Sequence, residues 1–213
     1  MITLLALLSI GDTWITDIKS KILIPSEDDF TLEYDYRQTC TIKSVGEDIA
    51  VAFERQTIAN RIDGEATDLP PNLVPMKWVA TQRKDLSWDH GRAFSDPAEL
   101  RVQRLMDVAL APPESRSVSS PEIPVNWAPE GEAQWTFGTE AKRNGRTVVS
   151  ATLSFHEVGR DDGIIGKGSG WADKKTGILI EFSISAKRVP IAGGDVGDYT
   201  ITLKTTDLQL KAP

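Results

Sequence analysis

The chain holds one cysteine and two histidines in 213 residues, and it has no apolar run near the twenty or so residues that a membrane-spanning helix needs. Each shortage removes a class of chemistry. Cys40 alone allows no intrachain disulfide and no multi-cysteine metal site. It falls in phase with Phe30, Leu32, Tyr34, Tyr36 and Ile42, so it reads as a buried, inert thiol rather than a reactive one in an electropositive setting. A basic excess is also missing, since 24 Lys and Arg face 31 Asp and Glu for a net charge of −7. Nucleic acid and anionic lipid surfaces need clustered cations to displace counterions, and this chain does not offer them.

The scarce histidines carry little. His156-Glu157 begins like a zinc-protease helix motif, but Arg160 stands where the second histidine belongs and the local pattern is a strand. His90, in Trp88-Asp89-His90-Gly91, has an aspartate beside it and no nucleophile, which reads as a loop histidine. Gly166-Lys167-Gly168-Ser169-Gly170 fails as a phosphate loop: Asp161 occupies the first glycine position, Gly168 follows the lysine, and no helix follows to present its N-terminus. A glycine-rich strand that bends or packs closely on another backbone fits better. Asp161 and Asp162 are neighbours in a turn and point apart, whereas catalytic carboxylate pairs face each other across a cleft. No catalytic residue, metal ligand or cofactor site emerges.

What the chain has in quantity is strand-like alternation. Over residues 13 to 24, Trp14, Ile18, Ile22 and Ile24 share one side; over 30 to 43 the alternation is cleaner, and Pro25-Ser26-Glu27-Asp28-Asp29 between them makes a hairpin. Ile49, Val51 and Phe53 mark a third strand, and residues 60 to 75 read as a long loop. Strand character returns near Lys77-Trp78-Val79-Ala80. Ser95-Asp96-Pro97-Ala98-Glu99 carries helix-start chemistry, and Val102, Leu105, Met106 and Ala109 follow on one stripe, so a helix is predicted over about 96–110. A connector rich in proline and serine follows, from Pro112 to Pro129.

The second half has the clearest turn chemistry, at Asn144-Gly145, Asp161-Asp162-Gly163 and Asp173 to Gly177. Short turns make antiparallel neighbours, which predicts a five-stranded meander from about Glu132 to Leu210. Tyr199, Ile201 and Leu203 share a phase that Leu208 and Leu210 reverse, so a bulge belongs near Thr205 to Asp207. The fold class expected is mainly β: a curved antiparallel sheet or half-barrel with one substantial helix and the C-terminal meander. Residues 11–213 are expected to form a single domain of two strand-rich halves, 11–94 and 131–211, joined by the helix and the connector. Residues 1–10 read as an atypical export signal or a buried N-terminal segment, since the apolar run lacks a basic start and a small-x-small cleavage site.

Several of these features together resemble a family. Gly11-Asp12-Thr13-Trp14, the mid-chain helix, the approach Pro121-Glu122-Ile123-Pro124-Val125 to a second tryptophan strand, and the late hairpin from Gly168 to Gly177 resemble uncharacterised exported bacterial proteins. Their plan is similar to the half-barrels of lipoprotein-carrier and periplasmic lipid-binding proteins. The chain departs from the pattern in its poor export signal and in the extra residue of Gly131-Glu132-Ala133-Gln134-Trp135. The resemblance implies a periplasmic or secreted binding or structural role, with no catalytic residues to transfer; a cytoplasmic location stays open.

The function expected is therefore non-enzymatic: a concave apolar sheet face that holds a hydrophobic small molecule, a lipid or a protein partner. A structural module assembling through edge strands is the alternative, and a hydrolytic or carbohydrate-active enzyme built around His90 and Asp89 or Asp85 is the third. Six tryptophans are more than a core of this size requires; large aromatics that close the ends of a β domain are one reading, and a ligand platform is the other, with Trp78, Trp127 and Trp171 as the ligand-binding candidates.

Overall fold

The structure, a computed structural model, describes residues 8–26, 28–67, 76–83, 88–89, 116–119, 131–157, 163–190 and 196–211. Its strands are β1 (Thr13–Ile24), β2 (Phe30–Val45), β3 (Ile49–Ile62), β4 (Glu65–Ala66), β5 (Met76–Gln82), β6 (Trp88–Asp89), β7 (Arg116–Ser119), β8 (Gly131–Arg143), β9 (Arg146–Glu157), β10 (Ile165–Asp173), β11 (Leu179–Pro190) and β12 (Val196–Gln209). They form one antiparallel sheet in the order β6-β5-β3-β2-β1-β12-β11-β10-β9-β8-β7, with β4 added to β3. The first long strand pairs with the last, Ile18 opposite Leu203 and Ser20 opposite Ile201, which places β1 in the middle of the sheet.

The fold class differs from the one expected. Strands make up 81% of the described residues, none of those residues is helical, and the sheet is not closed. The path ends at β6 on one side and β7 on the other. The physical reason is the uninterrupted two-residue alternation, which carries single strands to as many as 16 residues. The helix read over 96–110 lies outside the described residues, as do residues 1–7, and the connector read from Pro112 to Pro129 is described only at Arg116–Ser119, which is strand β7.

Alternation also decides which face is buried. Following the register across the sheet, Trp78, Phe53, Cys40, Trp14 and Leu208 stand opposite one another on one face, termed inner here. Leu203, Phe182, Gly170 and Ala151 continue that face across the meander strands. The opposite face carries the ion pairs Lys21–Glu33, Arg37–Asp17 and Arg61–Asp35. Burial of each large apolar side chain on the inner face stabilises the fold by roughly 1.5–3 kcal/mol. Salt bridges on the outer face contribute about 0–1 kcal/mol each, so the inner face holds the sheet together.

The turns follow from their residues. Asn144 and Gly145, with φ of 48° and 77°, make the two-residue turn between β8 and β9. Asp63 and Gly64, with φ of 50° and 82°, make the same kind of turn between β3 and β4, inside the stretch read as a loop. β3 therefore runs to Ile62, further than the alternation indicated. In the turn from Asp173 to Gly177, the Asp173 carboxylate accepts hydrogen bonds from the Thr176 amide and hydroxyl, both at 2.9 Å.

Bends sit at register shifts. The shift between Ile15 and Thr16 leaves Thr206 unpaired on β12, which returns Leu208 to the inner face. The glycines of β10 are the other device. A Cβ on Gly170 would fall 2.0 Å from the Glu181 carbonyl oxygen, and one on Gly168 would fall 2.5 Å from the Phe182 ring. Only glycine lets β11 and the rings of its neighbours lie this close to β10.

Candidate functional site

The inner face is not covered evenly. On the meander side Trp135, Leu153, Ile184 and Ile201 are buried, and Trp135 packs against Phe182 with ring centroids 5.7 Å apart. On β2 the row Phe30, Leu32, Tyr34 and Tyr36 is only half-buried, although it packs against that same core. Ile62, opposite Leu32 on β3, is exposed. Among the described residues, a strip of apolar surface along the first half of β2 and the end of β3 therefore reaches solvent on the inner face, and Ile49, Met76, Leu208 and Leu210 are partly buried beside the other core cluster.

Register explains the strip. β5 pairs only with Ile49 to Arg55 of β3, and β4 pairs only with Arg61 and Ile62. Residues 56 to 60 of β3, which face Tyr34 to Arg37 on β2, have no further strand beside them among the described residues.

At one end of the strip flat side chains stack in series. Phe53 and Trp78 lie nearly parallel with centroids 5.1 Å apart. The Arg55 guanidinium carbon is 5.0 Å from the Trp78 ring and 5.5 Å from the Tyr36 ring, and Tyr36 stacks on Tyr34 at 5.9 Å. Arg55 is 4% exposed. Its Nε donates to Gln38 Oε1 at 2.9 Å, its Nη2 donates to the same oxygen, and the Gln38 amide donates to Cys40 Sγ at 3.6 Å. A guanidinium stays charged when buried, and aromatic faces together with an amide oxygen are what it can use there.

Tyrosine supplies the polar part of the strip itself. Tyr34 lies opposite Ser20, Tyr36 opposite Ile18, and Tyr199 opposite Ile22, so all three share the inner face around β1. Burial raises the pKa of Tyr34, Tyr36 and Tyr199 above the ordinary phenol value of 10.0. For Tyr36 the nearby Arg55 charge works against that rise, and for Tyr199 the neighbouring Tyr34 and Tyr36 add to it. The phenols remain neutral O–H groups through the physiological range.

The residues singled out from sequence are spread. Trp78 lies within the inner-face stack and is buried. Trp171 lies on the outer face, opposite Ser150 and Glu181, half-buried beneath the Arg143 guanidinium at 4.3 Å. Trp127 lies outside the described residues, as do His90, Asp85, Asp161 and Asp162. Trp78 and Trp171 are thus not brought together. His156 is exposed on β9 with Glu132 at 3.7 Å. Cys40 is fully buried. Sequence reading missed Arg55, although a signal was there: it continues the phase of Val51 and Phe53, a cation where an apolar residue is expected.

No family model matches the chain, and no curated protein matches it. Solved structures similar to it include a beta-barrel-like protein of the domain of unknown function DUF1849 from Brucella abortus, at 8% identity and a TM-score of 0.35 over 97% of this chain and 100% of that one. A protein with a YmcC-like fold from Bacteroides fragilis matches at 10% identity and a TM-score of 0.29, over 96% and 100% of the two chains. A LolA superfamily protein from Nitrosomonas europaea matches at 11% identity and a TM-score of 0.26, over 97% and 89%. These neighbours are of the kind that the sequence resemblance named. Among the described residues no helix is long and apolar enough to cross a membrane.

Proposed function

We propose that the chain binds a hydrophobic ligand along the inner-face strip formed by Phe30, Leu32, Tyr34 and Tyr36 of β2. One observation carries the reading: this row belongs to the same packed core as the buried meander residues, yet it stays half-open to solvent on the inner face. Scattered single apolar residues on a surface need no explanation, but a contiguous row that extends a core does. Ligand sites are mostly apolar surfaces with a few placed polar groups, and the tyrosines, Gln38 and Arg55 are of that type. The two halves of the chain act as one domain in this reading, because the strip on β2 packs on a core supplied largely by the meander. Trp78 supports the ligand face from beneath through its contacts with Phe53 and Arg55. A periplasmic or secreted setting, consistent with the apolar start of the chain, is where such a carrier would meet lipid-like cargo.

Native mass spectrometry of the protein, purified without detergent from the cells that make it, tests the proposal. A species heavier than the bare chain by a lipid-sized mass, lost on solvent extraction, is the expected result. A single unloaded species that also fails to take up added lipid would overturn it.

A further inference from the structure

We infer that the hydroxyls of Tyr34, Tyr36 and Tyr199 form a hydrogen-bonding station for the uncharged, oxygen-bearing head of a lipid, such as an ester carbonyl. The inference rests on the binding reading above and adds the chemistry of the head group. These three are all the tyrosines in the chain, and all stand on one face of one sheet. Tyr34 and Tyr36 stack on each other, and Tyr199 reaches the same region from β12, across β1.

Buried phenols ordinarily find a hydrogen-bond partner within the protein. Here Tyr199 is 3% exposed and Tyr36 and Tyr34 are half-buried; among the described residues their hydroxyls are bonded to no other protein group, and none is sealed from solvent without a partner, so the three O–H groups open onto the surface where a ligand would lie. Backbone geometry does not demand tyrosine at these positions, since phenylalanine would fill the same space. Three O–H donors gathered on an otherwise apolar surface suit a group with several lone pairs and no charge. An ester or amide carbonyl is such a group, and its hydrocarbon tail would continue over Leu32 and Phe30 toward Ile62.

A carboxylate suits the cluster less well, because the phenols offer it no counter-charge and its transfer to an apolar face is costly. Burial holds the phenols protonated, so they remain donors. The Arg55 guanidinium carbon lies 5.5 Å from the Tyr36 ring centroid, with two of its donors committed to Gln38. Along β2, Gln38 and Tyr34 are four residues apart, about 13–14 Å of extended chain.

The test uses the full-length protein, stripped of lipid and loaded with the neutral fluorophore N-phenyl-1-naphthylamine. Methyl laurate, laurate and tetradecane compete for it, in the wild type and in Tyr34→Phe, Tyr36→Phe and Tyr199→Phe. Methyl laurate is expected to displace the fluorophore at lower concentration than tetradecane. Each substitution is expected to weaken the ester by roughly two- to ten-fold, the worth of one hydrogen bond. Tetradecane should be unchanged in the variants, which also shows that they remain folded. Equal affinity for ester and alkane in the wild type would overturn the inference and leave the binding reading standing. Tighter binding of laurate than of its ester would overturn it in favour of recognition at Arg55. Failure of the fluorophore to bind and of every competitor to act would overturn both readings.

Discussion

Arg55 on β3 donates to the Gln38 side chain on β2 through both Nε and Nη2, and both residues are buried on the inner face. The pair stands directly opposite in the register, so one neutral oxygen accepts two donors of a buried cation. Gln38→Leu keeps the volume and removes the acceptor. Loss of hydrogen bonds to a charged group is expected to lower stability by about 1.5–3 kcal/mol. Urea unfolding followed by tryptophan fluorescence measures this, and an unchanged midpoint would show that the pair contributes nothing.

Phe155 and Gly166 make a second dependence. An added Cβ on Gly166 would stand 2.0 Å from the Phe155 Cζ, far inside van der Waals contact with the ring edge. Gly166→Ala is therefore expected to cost about 1–3 kcal/mol through overpacking. Combining it with Phe155→Leu should recover part of the loss, so the two changes should be far from additive. Strict additivity in thermal melts would contradict the close approach.

Much of this sheet was legible because one face is apolar and the other charged. Trp14, Ile18, Ile22 and Ile24 are buried together on β1, and the reversal of phase between Leu203 and Leu208 does mark a bulge, at Thr206. Asn144-Gly145 turns the chain as its residues require, and Gly145→Ala at a φ of 77° is expected to cost about 1 kcal/mol in the same melts. A loss much smaller than that would mean the turn tolerates a side chain.

The rest was hidden for definable reasons. Alternation marks β3 only as far as Phe53, because Arg55 puts a charge in the apolar phase and a register shift opposite Asp35 and Tyr36 then breaks the pattern. The pairing of β1 with β12, seen in the contact of Thr16 with Thr205, joins residues 189 apart in sequence, and local patterning says nothing about such partners. Alternation puts Tyr34 and Tyr36 on the apolar face of β2, but their grouping with Tyr199 depends on that long-range pairing.

The buried phenols also set a pH dependence. Their pKa values are raised in the folded state above the ordinary 10.0, so beyond that pH the unfolded chain releases protons that the folded chain keeps. Stability is therefore fully present below about pH 10 and falls as the pH rises through and above it. Tyr199→Phe is expected to flatten that alkaline loss while changing little at neutral pH. An identical alkaline slope in the variant would contradict burial of Tyr199.

Placing a charge on the open strip tests the central claim most directly. N-phenyl-1-naphthylamine is titrated into lipid-free wild type and into Leu32→Glu, a position at which the side chain is half-exposed. Saturable binding by the wild type, with a loss of at least about ten-fold in Leu32→Glu at unchanged circular dichroism, is the expected result. Equal binding by the two proteins would place the ligand elsewhere and contradict the assignment of the β2 strip as the binding surface.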